Sequence, residues 1–143
     1  MKESDIKLIF KDLCCRLPYG VRGERTWTAP VSGSPEKGIY VFDTFDIKVL
    51  TTGCYDCGEY GFREVRNYSF KPYLFPLLSM TEEQKDELIN KGLAHYYSLG
   101  EHDKIIIFHE GWELIDWLNS NHFDYRELIE KGLAIDATNL NIY

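Results

Sequence analysis

The spacing of apolar residues changes from a helical period to a strand period along this 143-residue chain. From Ile6 to Leu17 apolar residues recur every three or four positions, which predicts an amphipathic helix that begins after a Ser4 N-cap and buries Cys14 in its apolar stripe. Residues 21–70 instead favour strands. Residues 38–42 form one apolar run, and residues 45–49 alternate between apolar and polar side chains.

The second half of the chain combines an extended connector with further helices. Residues 71–76 contain two prolines, so an extended connector is expected there. Thr81 and Gln84 fit a capping box for a helix that runs to about residue 90, and Gly92 fits its left-handed C-terminal cap. A further helix is expected at residues 112–118, and Asp124 is expected to cap a last one, with Phe123 and Leu128 as its hydrophobic staple.

Two further patterns concern the end of the chain. Residues 87–94 and 127–134 are identical at seven of eight positions, which indicates either a duplicated unit or two uses of one helix ending. Residues 133–143 are too apolar to be left in water, so we expect this C-terminal stretch to be ordered and packed.

These patterns together predict an α+β fold. We expect a small, mainly antiparallel sheet from residues 21–70, joined by the apolar residues 104–108 as a central strand, with helices packed on one face. A β-barrel-like core decorated by helices is the alternative. The length fits one domain over residues 1–143.

The charge and the absence of long apolar runs limit the partners and the compartment. The formal net charge is −7, and residues 101–143 carry nine acidic and three basic side chains, so nucleic acid is a disfavoured partner. No run reaches the ~18 apolar residues of a membrane helix. The first residues lack the apolar core of a signal peptide, so a cytoplasmic protein without a membrane partner is expected. Its four cysteines are then expected to be thiols or metal ligands.

Cys54 and Cys57 form a CxxCG pattern on a glycine-rich loop. Such a knuckle can offer two thiolates to zinc, but a structural site needs four ligands, and there is no second CxxC. Two free thiols in a hairpin loop are the alternative. A zinc-containing structural module is therefore the second functional hypothesis.

Residues His122 to Arg126 bring an imidazole, a carboxylate, a phenol and a guanidinium into five positions. This cluster allows an enzyme as a third hypothesis. A helix cap at Asp124 accounts for the same residues, and there is no adjacent nucleophile or phosphate loop to complete a catalytic site. We therefore assign no catalytic residue.

Four aromatic residues lie in the acidic last third of the chain: Trp112, Trp117, Tyr125 and Tyr143. Aromatic anchors within a charged rim are typical of protein–protein interfaces, whereas the alternative is that all four belong to the core. The sequence therefore predicts a small binding or regulatory protein that acts through contact with another protein, uses these four residues and needs no cofactor.

Three segments carry a resemblance to a known family: residues 11–21 (KDLCCRLPYGV), residues 71–84 (KPYLFPLLSMTEEQ) and the C-terminal region, with residues 115–126, 132–134 and 139–143. Together they resemble a family of small uncharacterised proteins from gut anaerobic bacteria, their phages and their mobile elements. The resemblance implies a biological setting and no chemistry. It does not extend to residues 22–69, which contain the Cys54–Cys57 loop.

Overall fold

The computed structural model describes residues 2–143, and their fold is α+β. The α-helices are α1 (Glu3–Arg16), α2 (Thr44–Thr52), α3 (Glu82–Asn90) and α4 (Trp112–Ser120). The strands are β1 (Arg22–Thr28), β2 (Pro35–Val41), β3 (Cys54–Asp56), β4 (Phe62–Glu64), β5 (Arg66–Pro76), β6 (Ala94–Ser98), β7 (Lys104–Phe108), β8 (Phe123–Asp124) and β9 (Ile135–Asp136). Within residues 2–143, no helix combines the length and the apolar character needed to cross a membrane.

The main sheet is built around the long strand β5. Its order is β2-β1-β5-β8, and β1 is antiparallel to both β2 and β5. The short strands β8 and β9 both pair with β5 in parallel. Two antiparallel hairpins, β3–β4 and β6–β7, stand apart from this sheet. The α+β class with mostly antiparallel sheets is therefore confirmed.

The prediction that residues 104–108 form a central strand of the main sheet is wrong. These residues are the strand β7, which pairs only with β6 among the described residues. The hairpin packs against a second apolar cluster, which is distinct from the one beneath the main sheet. That cluster consists of Met80, Leu88, Ala94, Leu114, Trp117, Leu118 and Phe123, and Ile106 and Phe108 pack against it.

The prediction of a strand at residues 45–49 is also wrong, because these residues lie in α2. The Asp43 carboxylate accepts hydrogen bonds from the Phe45 and Asp46 amides, and Asp46 caps the Asp43 amide in return. Gly53, at φ 69°, ends the helix in the left-handed conformation. This reciprocal cap stabilises the first turn of the helix, although the apolar side chains alternate as in a strand.

Residues 71–76 are extended, as expected, but they are the second half of β5 and not a connector. Pro72 lies opposite Gly23 of β1, and Tyr73 and Phe75 pair with Ile135 and Phe123 on the other side. The extended conformation that proline favours in its preceding residue is also the conformation of a strand.

Helix α1 confirms the predicted N-terminal helix and buries Ile9 and Leu13 of the predicted stripe, but it begins at Glu3, so the predicted N-cap at Ser4 is wrong. Cys14 is exposed, whereas Asp12 and Arg16 are fully buried beside Leu13. The Asp12 carboxylate accepts hydrogen bonds from Arg16 Nε at 2.7 Å and from Arg126 Nε at 3.1 Å. Arg16 Nη2 also donates to the carbonyl oxygen of Phe123 at 2.7 Å, which ties α1 to β8.

The two repeated segments end in the same hydrogen-bond pattern but in different structures. Gly92 and Gly132 are both left-handed, and the next amide donates to the carbonyl of Leu88 or Leu128 at 2.8 Å in each case. The first segment ends α3, as predicted. The second forms turns, and the predicted helix after Asp124 is absent there because Glu127, at φ 60°, is itself left-handed.

The C-terminal stretch packs onto the main sheet, as the sequence predicts, although Leu140 and Tyr143 remain 43% and 44% exposed. Leu133 and Ala137 are buried, and the Ala137 amide donates to the carbonyl of Leu74 at 2.9 Å. The Tyr143 hydroxyl donates to the carbonyl of Tyr73 at 2.8 Å.

Candidate functional site

The structure does not bring the four predicted binding aromatics together. Trp112 is 76% exposed at the start of α4, whereas Trp117 is buried in the second apolar cluster. The Trp117 ring stacks on Phe123 with 5.8 Å between centroids, and its indole N–H donates to Glu87 Oε1 at 2.9 Å. Trp117 therefore has a structural role in the core.

Tyr125 and Tyr143 are also engaged by other parts of the chain. The half-buried Tyr125 ring lies within cation–π distance of the guanidinium groups of Arg16 and Arg126, at 5.4 and 4.9 Å from its centroid. The Tyr143 ring stacks on His122 at 3.8 Å, and burial raises the pKa of its hydroxyl to about 12. Of the four residues, Trp112 is therefore the one that presents most of its ring to a partner.

The His122–Arg126 segment does not assemble a catalytic constellation. The Asp124 carboxylate accepts hydrogen bonds from the Leu128 and Ile129 amides, and so caps the following turn. Arg126 pairs with Asp12. His122 is buried, and burial together with the Arg16 charge lowers its pKa to about 4.

Cys54 and Cys57 lie on the small hairpin β3–β4 as free, half-buried thiols. Cys57 Sγ is 3.7 Å from the carbonyl oxygen of Tyr55. Among residues 2–143, no three His, Cys, Asp or Glu side chains are grouped so that they could hold a metal ion. The zinc module stays a prediction from the sequence, and these two thiols alone do not complete its ligand set.

The hairpin β6–β7 presents an exposed apolar face on the side away from the second cluster. Side chains alternate across each strand, so Ala94, Ile106 and Phe108 face the second cluster while their neighbours point outward. Tyr97 is 57% exposed, and Ile105 and Ile107 are 44% and 38% exposed. We define the hairpin surface as the residues that share this outward side or border it: His95, Tyr97, Ile105, Ile107, His109 and Trp112.

Trp112 lines two grooves, and His109 at the end of the hairpin lines one of them. One groove has a volume of about 380 Å³ and runs along α4, where Trp112 is accompanied by Leu93 and Asp116. The other, of about 330 Å³, is lined by Trp112 together with Leu93, His109 and Glu110. The exposed indole therefore stands between two concave regions that can receive side chains of a partner.

A histidine pair fixes the geometry at the end of the hairpin. His109 Nδ1 lies 2.8 Å from the carbonyl oxygen of Gly92, which only accepts hydrogen bonds, so this nitrogen carries the proton. In the neutral ring His109 Nε2 is then an acceptor, and His95 Nδ1 donates to it at 2.8 Å. These two bonds connect β6, the end of β7 and the turn before β6.

The edge of the hairpin surface is acidic. Glu113 lines both grooves, Asp116 lines the groove along α4, and Glu110 lines the other, whereas Lys91 is the one lysine among the lining residues. At the other end of the hairpin, Glu101 and Asp103 are exposed in the connecting turn. An apolar centre with an acidic rim favours partners that present apolar side chains beside lysine or arginine.

Sequence reasoning identified Trp112 but missed Tyr97, Ile105 and Ile107 as surface residues. The continuous apolar run of β7 indicates a strand buried on both faces, and it contains no information on which neighbour covers it. The alternation in β6, where Ala94 and Tyr96 flank His95, is too short to have been recognised as a strand.

Comparisons of the chain with protein-family models, with curated proteins and with solved structures find no match.

Proposed function

We propose that this protein binds another protein through the hairpin surface. The observation that carries the proposal is the 76% exposure of Trp112, which lines two grooves and shares one of them with His109 at the end of the hairpin. Tryptophan is among the residues that contribute most to binding energy at protein interfaces, and contiguous exposed apolar surface is uncommon without such a role.

The partner that fits this surface is a protein segment with one or more apolar anchors beside basic side chains. The apolar anchor would fill the groove between Trp112 and Leu93, which removes both from water. Lysine or arginine beside it would face Glu113 and Asp116, which line the same groove. Such charges accelerate association and make it sensitive to salt.

The surface is held in place before a partner arrives. Trp112 is the first residue of a two-turn helix whose other face, with Leu114 and Leu118, is buried in the second cluster. His109 is anchored to Gly92 and His95. A preorganised surface loses little conformational freedom on binding, which increases affinity.

The cytoplasm is the proposed location, because the four cysteines are free thiols. The resemblance carried by residues 11–21, 71–84 and the C-terminal region supports a setting in anaerobic bacteria, their phages or their mobile elements as part of the same proposal.

The experiment is affinity capture from a lysate of the native host with three immobilised forms of the full chain. These are the native protein, Trp112→Ala and the matched control Phe62→Ala. Phe62 is an aromatic residue of similar exposure, 72%, on the distant hairpin β3–β4. We expect a partner that the native protein and the Phe62 variant both retain, that is released by salt, and that the Trp112 variant loses. Equal capture by all three forms contradicts the proposal.

A further inference from the structure

The outer edge of β7 presents backbone groups without a backbone partner. The Leu99 amide donates to the Asp103 carbonyl at 2.7 Å, and the His109 amide donates to the Leu93 carbonyl at 2.8 Å. Hydrogen-bonded pairs alternate along an antiparallel ladder. The odd-numbered residues of β7 therefore direct their backbone N–H and C=O groups towards β6. Lys104, Ile106 and Phe108 therefore direct their N–H and C=O groups away from β6, where no other strand of residues 2–143 pairs with them.

Apart from its short length and Lys104, this edge lacks the features that usually prevent strands from pairing. Between Lys104 and Phe108 there are three consecutive isoleucines, with no proline, no bulge and no further charge. The corresponding edge of β6 differs, because Ala94, one of its outward-directed residues, is buried with 3% exposure. The accessible edge of the hairpin is therefore that of β7.

We propose that β7 pairs in an antiparallel manner with β7 of a second copy of this chain, around a two-fold axis at Ile106. In this register Ile106 forms a hydrogen-bonded pair with Ile106 of the second copy. Lys104 of each copy forms a hydrogen-bonded pair with Phe108 of the other. The three pairs give about six new backbone hydrogen bonds. Two hairpins then form one four-stranded sheet, β6–β7–β7–β6, with a closed two-fold interface.

The side chains in this register are complementary. Asp103 comes opposite His109 of the second copy at both ends, and no two like charges face each other along the ladder. Ile105 comes opposite Ile107 of the second copy on the exposed face, where directly opposed β-branched side chains stabilise a sheet. A five-residue ladder is small for a protein interface, so we expect weak, concentration-dependent association.

The dimer goes beyond the proposed partner binding and does not depend on it, because it uses the backbone edge of β7 and not Trp112. Its consequence is that two hairpin surfaces lie on one continuous sheet. A partner with two binding segments would then be held by both copies at once, which increases the overall affinity.

Sedimentation velocity of the full chain from about 2 to about 200 μM tests the dimer. We expect the mass to rise from 16.7 kDa towards twice that value. The variant Ile106→Pro removes the central edge donor without removing a bond to β6, and we expect it to weaken the dimer at least about tenfold. A native chain that stays monomeric at the highest concentration overturns the proposal.

Two double variants test the register on exposed side chains, so that the result does not depend on the folding of the proline variant. Ile105→Lys with Ile107→Lys places lysine opposite lysine across the interface, and we expect a monomer. Ile105→Glu with Ile107→Lys places opposite charges there, and we expect a dimer. Equal behaviour of these two variants, each with a native-like circular dichroism spectrum, overturns the register and with it the proposal.

The variant Trp112→Ala separates the dimer from the proposed function. We expect it to dimerise like the native chain while it loses the captured partner. If this variant fails to dimerise, self-association depends on Trp112. That result would overturn pairing at the edge of β7.

Discussion

The buried ion pair between Asp12 and Arg16 allows a quantitative prediction about stability. Both side chains are fully buried. The Asp12 carboxylate accepts three hydrogen bonds: from Arg16 Nε at 2.7 Å, Arg16 Nη2 at 3.2 Å and Arg126 Nε at 3.1 Å. Asp12→Asn preserves the volume of the side chain but removes the negative charge, which leaves the Arg16 guanidinium buried without a counter-ion.

Breaking one partner of a buried ion pair costs about 3–5 kcal/mol. Arg16 keeps the bond to the Phe123 carbonyl, but its Nη1 is buried and already has no partner. We therefore expect Asp12→Asn to lower the free energy of unfolding by about 3–5 kcal/mol, a large share of the ~5–15 kcal/mol of a typical domain. Urea-induced unfolding followed by tryptophan fluorescence measures this loss.

An exposed pair on the same helix provides the matched control. Lys7 and Glu3 form an ion pair at 2.6 Å with both side chains largely in solvent, so Glu3→Gln should change stability by less than about 0.5 kcal/mol. Replacing both fully buried charges, Asp12→Leu with Arg16→Met, should cost less than Asp12→Asn alone, because no fully buried charge is left unpaired and Arg126, which also loses Asp12, is 21% exposed. A loss below about 1 kcal/mol for Asp12→Asn would refute the reasoning from a buried network.

Three further predictions concern the C-terminus, pH and metal. Deleting residues 140–143 removes the ring stacked on His122 and should lower the melting temperature by several degrees, whereas unchanged melting would contradict the packing described. The pKa of His122 is about 4 in the folded chain and ordinarily about 6.5, so the unfolded chain binds more protons between these values. Stability should therefore fall as the pH is lowered from about 6.5 to 4, by up to about 3 kcal/mol. His122→Phe should abolish this dependence in urea titrations at each pH, and the exposed control His102→Gln should keep it. If Cys54 and Cys57 bind zinc as the sequence predicts, elemental analysis should find about one zinc per chain, lost in Cys57→Ser, whereas a zinc-free protein would exclude the module.

Elements with complete local signals were predictable from the sequence. The capping box at Thr81 and the left-handed Gly92 define both ends of α3, and both lie within a few residues of the helix. Helix α2 has an equivalent signal in Asp43, Asp46 and Gly53. The strand-like alternation of residues 45–49 competes with that signal, and the caps determine the structure.

Elements that depend on distant partners were not predictable. The apolar run of β7 indicates a strand, but its pairing with β6 and not with the main sheet depends on contacts far apart in the chain. Burial of Asp12 and Arg16 follows from their ion pair with each other and with Arg126, which lies 114 residues after Asp12. Apolar periodicity contains no information about such a network.

The candidate site was predictable in part. Trp112 and Trp117 are five residues apart, which places them about 140° apart around a helix, so both cannot face the core. Leu114 and Leu118 lie on the side of Trp117, which leaves Trp112 outside. The exposed face of the hairpin next to it required the register of β6 and β7, which no local pattern specifies.

Calorimetric titration of the captured partner, once identified, into the native chain, Trp112→Ala and Phe62→Ala tests the central claim most directly. A tryptophan at the centre of an interface contributes 2 kcal/mol or more, so we expect Trp112→Ala to weaken binding about 30-fold or more. The Phe62 variant should bind within about threefold of the native chain, because Phe62 lies outside the hairpin surface. A Trp112 variant that binds as tightly as the native chain would contradict the assignment of the hairpin surface as the binding site.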